Sequence, residues 1–151
     1  MRYFVTGGSG FVGRALLSDL ARSGQQVRAV ARSVGAAATV AELGADPVRA
    51  DLLDTDAVPA EVFERTNVAG TRSVVAAAAR AGVPVFVHMS TEAVLADGSP
   101  LRMTNHETAP TSRPAGRYSS TKGAAEGIVM TSSGLGRVVV LMPRFVWGAG
   151  H

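Results

Sequence analysis

The chain contains no cysteine. Disulfide frameworks, thiolate metal sites and cysteine nucleophiles are therefore excluded, and the absence fits a cytoplasmic protein. No apolar run approaches ~18 residues, so no segment is expected to span a membrane. The opening "MRYFVTGGSG" breaks into glycines too early for a signal peptide. Basic runs are missing too. The formal net charge is +3, yet the arginines fall singly along the chain without interleaved aromatics, so nucleic acid is not expected as a partner. No metal is expected either: His106 in "NHETAP" has no second histidine at ligand spacing, and His88 in its apolar run reads as a satisfied core histidine. Lysine is the scarcest charge. Of 15 basic residues only Lys122 is a lysine, and it follows Tyr118, one of two tyrosines, by four positions.

What is present is one domain's worth of chain, 1–151, long enough to bury about 70% of its unfolded surface. "RYFVTG" is a short apolar run closed by glycines, and Val12, Leu16, Leu17 and Leu20 then recur at helical spacing up to Gly24. "QVRAVAR" reads as a second strand, "AATVAELG" as a short helix and "DPVRADL" as a third strand. Residues 55–81 are helical in pattern, interrupted by Pro59 and Gly70. "VPVFVHMS" and "RVVVLMPR" are β-branched runs of the kind buried on both faces of a parallel sheet. Between them lie a polar loop and a helix starting near Pro114. Alternating strands and helices predict an α/β fold with a parallel sheet.

The stretch "VTGGSGFVG" sets glycines at 7, 10 and 13, after a strand and at the head of an amphipathic helix. The first makes a tight turn, the second admits a diphosphate to the backbone, and the third lets helix and strand pack closely. The diphosphate would then meet the free N–H groups of the helix N-terminus. The second strand ends in Ala31 and Arg32, with no carboxylate for the adenosine ribose. An arginine there pairs with a 2′-phosphate, which favours NADP(H), with NAD(H) as the alternative. Asp51 after the third strand either accepts from the adenine amino group or caps a helix.

Tyr118 and Lys122 stand one helical turn apart on one face. A phenol has a pKa of about 10, so useful proton transfer at neutral pH needs a fall of about three units, about 4 kcal/mol. One ammonium ~4 Å away at an effective dielectric near 20 supplies about that much. A compact ammonium also reaches ribose hydroxyls where a planar guanidinium fits less well. A third group is expected at the end of "VFVHMS": Thr91 to orient a substrate oxygen, with Ser90 lining the same rim. Glu126 reads as solvated helix surface, and Trp147 as a packing residue.

Together "VTGGSGFVG", "RADLLD", "TNVAGTRSVV", "VFVHMSTEAVL", "YSSTKGAAE" and "MPRFVWGAG" resemble the extended short-chain dehydrogenase/reductase family, with a lean towards its 3β-hydroxysteroid dehydrogenase and dihydroflavonol reductase branch. The resemblance implies a Rossmann-type doubly wound parallel sheet and a catalytic triad of Thr91, Tyr118 and Lys122. It implies a diphosphate held by Gly7, Gly10, Phe11 and Val12, an adenine bordered by Asp51 and Leu52, and a nicotinamide near Pro143 and Phe145. Asn67 would brace the central sheet. The implied activity is hydride transfer between a nicotinamide and a ketone or secondary alcohol, or sugar-nucleotide epimerase/dehydratase chemistry. The family often pairs through helices around Asn67 and Tyr118, so a homodimer is an expectation.

Two departures accompany the resemblance. "TDAVPAEVFER" is too short to hold the family's fourth strand, and "WGAGH" stops where the family continues into a substrate domain. If the first and fifth family strands pair directly, a five-stranded sheet remains. A non-catalytic dinucleotide-binding redox sensor, or an inactive fragment, is the alternative to the enzyme.

Overall fold

The computed structural model describes residues 1–49, 63–101, 108, 110–144 and 146. Asp51, Leu52, His106, Phe145 and Trp147 lie outside the described residues, so the expectations placed on them have no structural counterpart. The chain divides into two compact units.

The first unit comprises Met1–Asp51 with Val146–His151. Strands β1 (Arg2–Val5), β2 (Gln26–Ala31) and β3 (Asp46–Arg49) alternate with helices α1 (Phe11–Arg22) and α2 (Val34–Glu42). The sheet is parallel in the order β1-β2-β3, with Tyr3 opposite Val27 and Ala29 opposite Pro47. Parallel neighbours require crossovers, and the two helices provide them. Pro47 has no N–H for the ladder and is tolerated because β3 is an edge strand. Helix α1 stops where Gly24 adopts φ 66° and its N–H donates to the Ala21 carbonyl at 2.9 Å. Helix α2 begins ahead of the expected Ala37, because Ser33 caps it by accepting from the Ala36 N–H at 3.1 Å.

Leu17, Val27, Ala29, Val40 and Ala45 form the core of this unit, with Tyr3, Val5, Leu20 and Leu43 packed at its margin. Val12 and Leu16, expected on the same buried stripe as Leu17, are exposed. A three-stranded sheet covers only a narrow side of the helix, and Leu17 with Leu20 occupies it.

The second unit comprises Leu52–Phe145. A π-helical turn, Glu64–Ala69, runs into α3 (Gly70–Arg80), followed by β4 (Val85–Met89), a 3-10 turn (Glu92–Leu95), α4 (Arg117–Thr131) and β5 (Arg137–Leu141). β4 and β5 pair in parallel, from Val85 opposite Arg137 to Met89 opposite Leu141. Gly136 is needed where β5 begins, since a Cβ there would lie 2.3 Å from the Pro84 carbonyl oxygen.

Two expectations are corrected here. Among the described residues the five strands form a three-stranded and a two-stranded sheet, not one sheet of five. Among the described residues β1 pairs with β2, and β4 with β5. β4 is also not buried on both faces. Val85, Val87 and Met89 are exposed while Phe86 and His88 are half-buried, the period-two pattern of a strand covered on one side.

Candidate functional site

In the first unit the glycine turn is built by close contacts. Gly7 takes φ 70°, in the left-handed region that favours glycine, and its carbonyl accepts from the Gly10 N–H at 3.0 Å. Gly10 then leads into α1, its carbonyl accepting from the Arg14 N–H at 2.8 Å. A Cβ on Gly13 would fall 2.1 Å from the Gly7 carbonyl oxygen and 2.7 Å from the Gly8 Cα, so helix and turn approach with no room for a methyl group. Gly8 seats the turn on the core, where a Cβ would lie 3.0 Å from Leu17 Cδ1. No side chain caps α1 at Gly10, and its first turn carries no acidic residue. That helix end, headed by Phe11 and Val12, therefore suits an external anion such as a diphosphate.

Arg32 follows β2 directly and is exposed. Arg22 pairs with Asp19 at 2.6 Å and Arg28 with Asp46 at 3.3 Å, whereas Arg2, Arg14, Arg32 and Arg49 have no ion pair among the described residues.

In the second unit α4 carries Tyr118 and Lys122 one turn apart. Ser119 fixes the helix start, its hydroxyl donating to the Gly116 carbonyl at 2.8 Å and accepting from the Gly116 N–H at 3.1 Å. Tyr118 is 47% exposed, its ring edge-on to Phe63 at 6.1 Å between centroids. Lys122 is half-buried, and Nζ donates to the Met89 carbonyl at 2.6 Å. Burial pushes its pKa below the ordinary lysine value, and the negative charge of Glu126 opposes that fall. Asn67, in the π-helical turn, donates to Thr121 Oγ1 at 3.0 Å, so its side chain braces α4 where the resemblance placed it at the central sheet.

The ends of β4 and β5 stay paired beyond the strands, through Ser90 N–H to the Leu141 carbonyl at 2.7 Å and Glu92 N–H to the Pro143 carbonyl at 3.3 Å. This brings Ser90, Thr91 and Pro143 together. Ser90 is 3% exposed and its hydroxyl donates to Glu126 Oε2 at 2.5 Å. Ser90 therefore does not line an open rim, because its one proton is committed inside the unit. Thr91 Oγ1 accepts from the Ala93 N–H at 3.3 Å, while its own proton has no acceptor among the described residues. Of the two hydroxyls, Thr91 is the one able to donate outward.

Two residues depart from the sequence reading. Glu126 is 5% exposed, not solvated surface. Its signal was present: Tyr118, Lys122 and Glu126 recur every fourth residue on one face of α4. His88 is not a satisfied core histidine, since its buried Nε2 has no hydrogen-bond partner among the described residues. Burial, and then the charge of Lys122, push its pKa down to about 4. Among the described residues no helix is long and apolar enough to cross a membrane.

Comparison with known proteins agrees with both halves of this arrangement. The model of the 3-beta hydroxysteroid dehydrogenase/isomerase family matches residues 50–151, and that of the NAD dependent epimerase/dehydratase family matches residues 3–63. A 4-hydroxy-2-methyl-3-oxo-4-farnesyl-3,4-dihydroquinoline-1-oxide ketoreductase from Stigmatella aurantiaca is 44% identical over 172 residues, covering 99% of this chain and 51% of the relative. A 3-beta-hydroxysteroid dehydrogenase from Mycolicibacterium neoaurum is 30% identical, covering 99% and 48%. The chain thus spans about half the length of these relatives. The first alignment also exceeds the 151 residues of the chain, so the relative carries residues with no counterpart here. Among solved structures, UDP-glucuronic acid 4-epimerase from Bacillus cereus, in complex with UDP-glucuronic acid and NAD, superposes with a TM-score of 0.71 at 19% identity, covering 94% of this chain and 56% of that one. That likeness establishes a Rossmann-like α/β fold. With two-thirds of its length matched by the steroid-dehydrogenase model and its glycine turn by the epimerase model, the chain belongs to the 3-beta hydroxysteroid dehydrogenase/isomerase family, within the extended short-chain dehydrogenases/reductases.

Proposed function

We propose that this chain is the nucleotide-binding part of an NAD(P)-dependent oxidoreductase interconverting a ketone and a secondary alcohol on a small-molecule substrate. The observation that carries the reading is the setting of Lys122. The sole lysine of the chain donates to the carbonyl of Met89 at the end of β4, two residues before Thr91, and stands one turn from an exposed tyrosine. Gly7, Gly10, Phe11 and Val12 would hold the diphosphate at the head of α1, where a tight turn and a helix end with no side-chain cap fit it. When bound, the nicotinamide supplies or accepts a hydride. Tyr118 gives its phenolic proton to the substrate oxygen in reduction and takes it back in oxidation. Thr91 donates to the same oxygen and orients it. Lys122 lowers the cost of the phenolate through its charge. The match of residues 50–151 to the steroid-dehydrogenase model favours this chemistry over epimerisation.

The place of Arg32, exposed and directly after β2, supports NADP(H) over NAD(H). A cytoplasmic location and a homodimer paired around Asn67 and Tyr118 belong to the same reading, and sedimentation velocity reads the second directly. The test of function is turnover of NADPH and NADH, followed at the reduced-nicotinamide absorbance band, against a panel of ketones and secondary alcohols. A second reading, binding without turnover, is favoured by the pairing of β1 on one side only among the described residues. Nucleotide-induced thermal stabilisation with no turnover would select it.

A further inference from the structure

Glu126 is a buried carboxylate that the proposed chemistry does not use. A carboxylate so nearly removed from water is costly unless it is paired and hydrogen-bonded. The contact from Ser90 at 2.5 Å lies at the short end for a hydroxyl donating to an ionised oxygen. The ammonium of Lys122, one turn back on α4, is the cation whose charge couples to it. Lys122 in turn donates to the carbonyl of Met89, the residue before Ser90. Two consecutive residues at the end of β4 are thus gripped by two residues one turn apart on α4, and Thr91 comes next in the chain.

We propose that Glu126 is a positioning residue: it anchors the end of β4 to α4 through Ser90 and supplies the counter-charge to Lys122. The inference rests on the reading of Lys122 as the charge that tunes Tyr118. The titratable and charged groups on α4 and on the elements packed against it are Arg117, Tyr118 and Glu126 on α4, His88 on β4, Glu92 in the 3-10 turn, Glu64 and Arg65 in the π-helical turn, Arg72 and Arg80 on α3, and Arg137 on β5. Glu92 is engaged with Arg144 at 3.1 Å. Glu126 and His88 are the two whose charge couples to Lys122. His88 stays neutral near pH 7, so it adds no positive charge of its own at the end of β4.

Because Lys122 is the only lysine, protein grown with 13C,15N-labelled lysine gives one side-chain signal, whose titration reads this ammonium directly. Glu126→Gln keeps an oxygen for Ser90 and removes the charge. The expected result is a Lys122 titration midpoint lower by about one pH unit or more, tenfold in proton affinity. Glu126→Asp, which retains the charge, is expected to stay close to the parent. The alkaline limb of kcat should move with the lysine midpoint in the Gln variant, a shift that a merely structural residue would not produce. An unmoved midpoint in a folded Glu126→Gln protein overturns the proposal. Should that variant fail to fold, Ser90→Ala protein, in which Glu126 loses the hydroxyl that fixes it, must move the lysine midpoint, and an unmoved midpoint overturns the proposal equally. Addition of NADP+ separates the two readings. A lysine signal blind to nucleotide, in protein without turnover, sinks the functional reading while the coupling to Glu126 stands. A signal that answers nucleotide but ignores Glu126→Gln sinks only the present inference.

Discussion

Replacing Gly13 by alanine tests the glycine turn at its tightest point. The new Cβ would sit 2.1 Å from the Gly7 carbonyl oxygen, whereas real Cβ atoms essentially never come within 3.0 Å of such an atom. Every nearby atom is backbone, of Gly7 or Gly8, so no side chain can swing aside. The turn must open by most of an ångström, or α1 must slide on the sheet, and Leu17 ties α1 to the core. Forcing a methyl group into such packing costs about 1–3 kcal/mol. At about 2–4 °C per kcal/mol for a chain of this size, Tm should fall by about 2–12 °C. The N–H groups at the head of α1 move with the turn, and about 1 Å of misplacement is enough to spoil a bound geometry.

The assay is thermal unfolding with and without nucleotide. The parent should gain about 2.7 kcal/mol at a hundredfold excess of ligand over Kd, and Gly13→Ala should lose that gain. Two neighbours calibrate the result. A Cβ on Gly10 lies 3.3 Å from the same oxygen, a contact relieved by a few tenths of an ångström. Gly7 has open space around its Cβ position but φ 70°, a conformation costing an alanine about 1–2 kcal/mol. The expected order of damage is Gly13, then Gly7, then Gly10. A Gly13→Ala protein that melts with the parent and is still stabilised by NADP(H) would refute the tight-turn reasoning.

Further outcomes follow from the other groups. Tyr118→Phe should abolish turnover while keeping nucleotide-induced stabilisation, and retained turnover would remove Tyr118 from proton transfer. Lys122→Arg keeps the charge but not the compact donor to the Met89 carbonyl, so kcat should fall at unchanged net charge. Arg32→Ala should weaken NADPH binding and leave NADH binding nearly unchanged, as measured by calorimetry. His88 has its folded pKa lowered from 6.5 to about 4, so the unfolded chain binds more protons between those values. Its contribution to stability is complete above pH 6.5 and is lost as pH falls towards 4, and His88→Asn should flatten the stability profile in that window.

The local geometry of the candidate site was legible because its determinants are short-range. A glycine at position 13 and a lysine four residues after a tyrosine are short-range patterns whose geometry follows from one turn or one helix. Glu126 was legible by spacing and misread by type, since glutamate is rarely so buried without a partner. Its partner, Ser90, lies 36 residues away in sequence, and no periodicity reports such a pair. The same holds for Asn67 and Thr121, 54 residues apart.

The sequence by itself determined the alternation of parallel strands and helices, the shape of the glycine turn, and the shared face of Tyr118 and Lys122. Each depends on backbone sterics and hydrogen bonds spanning a few residues. Tertiary structure alone decided that Ser90 turns inward to Glu126 while Thr91 keeps a proton to give, that His88 lacks a partner, and that five strands form two sheets among the described residues. Those outcomes depend on which distant groups share a desolvated space, where one missing donor or one missing strand edge changes what every neighbour must do.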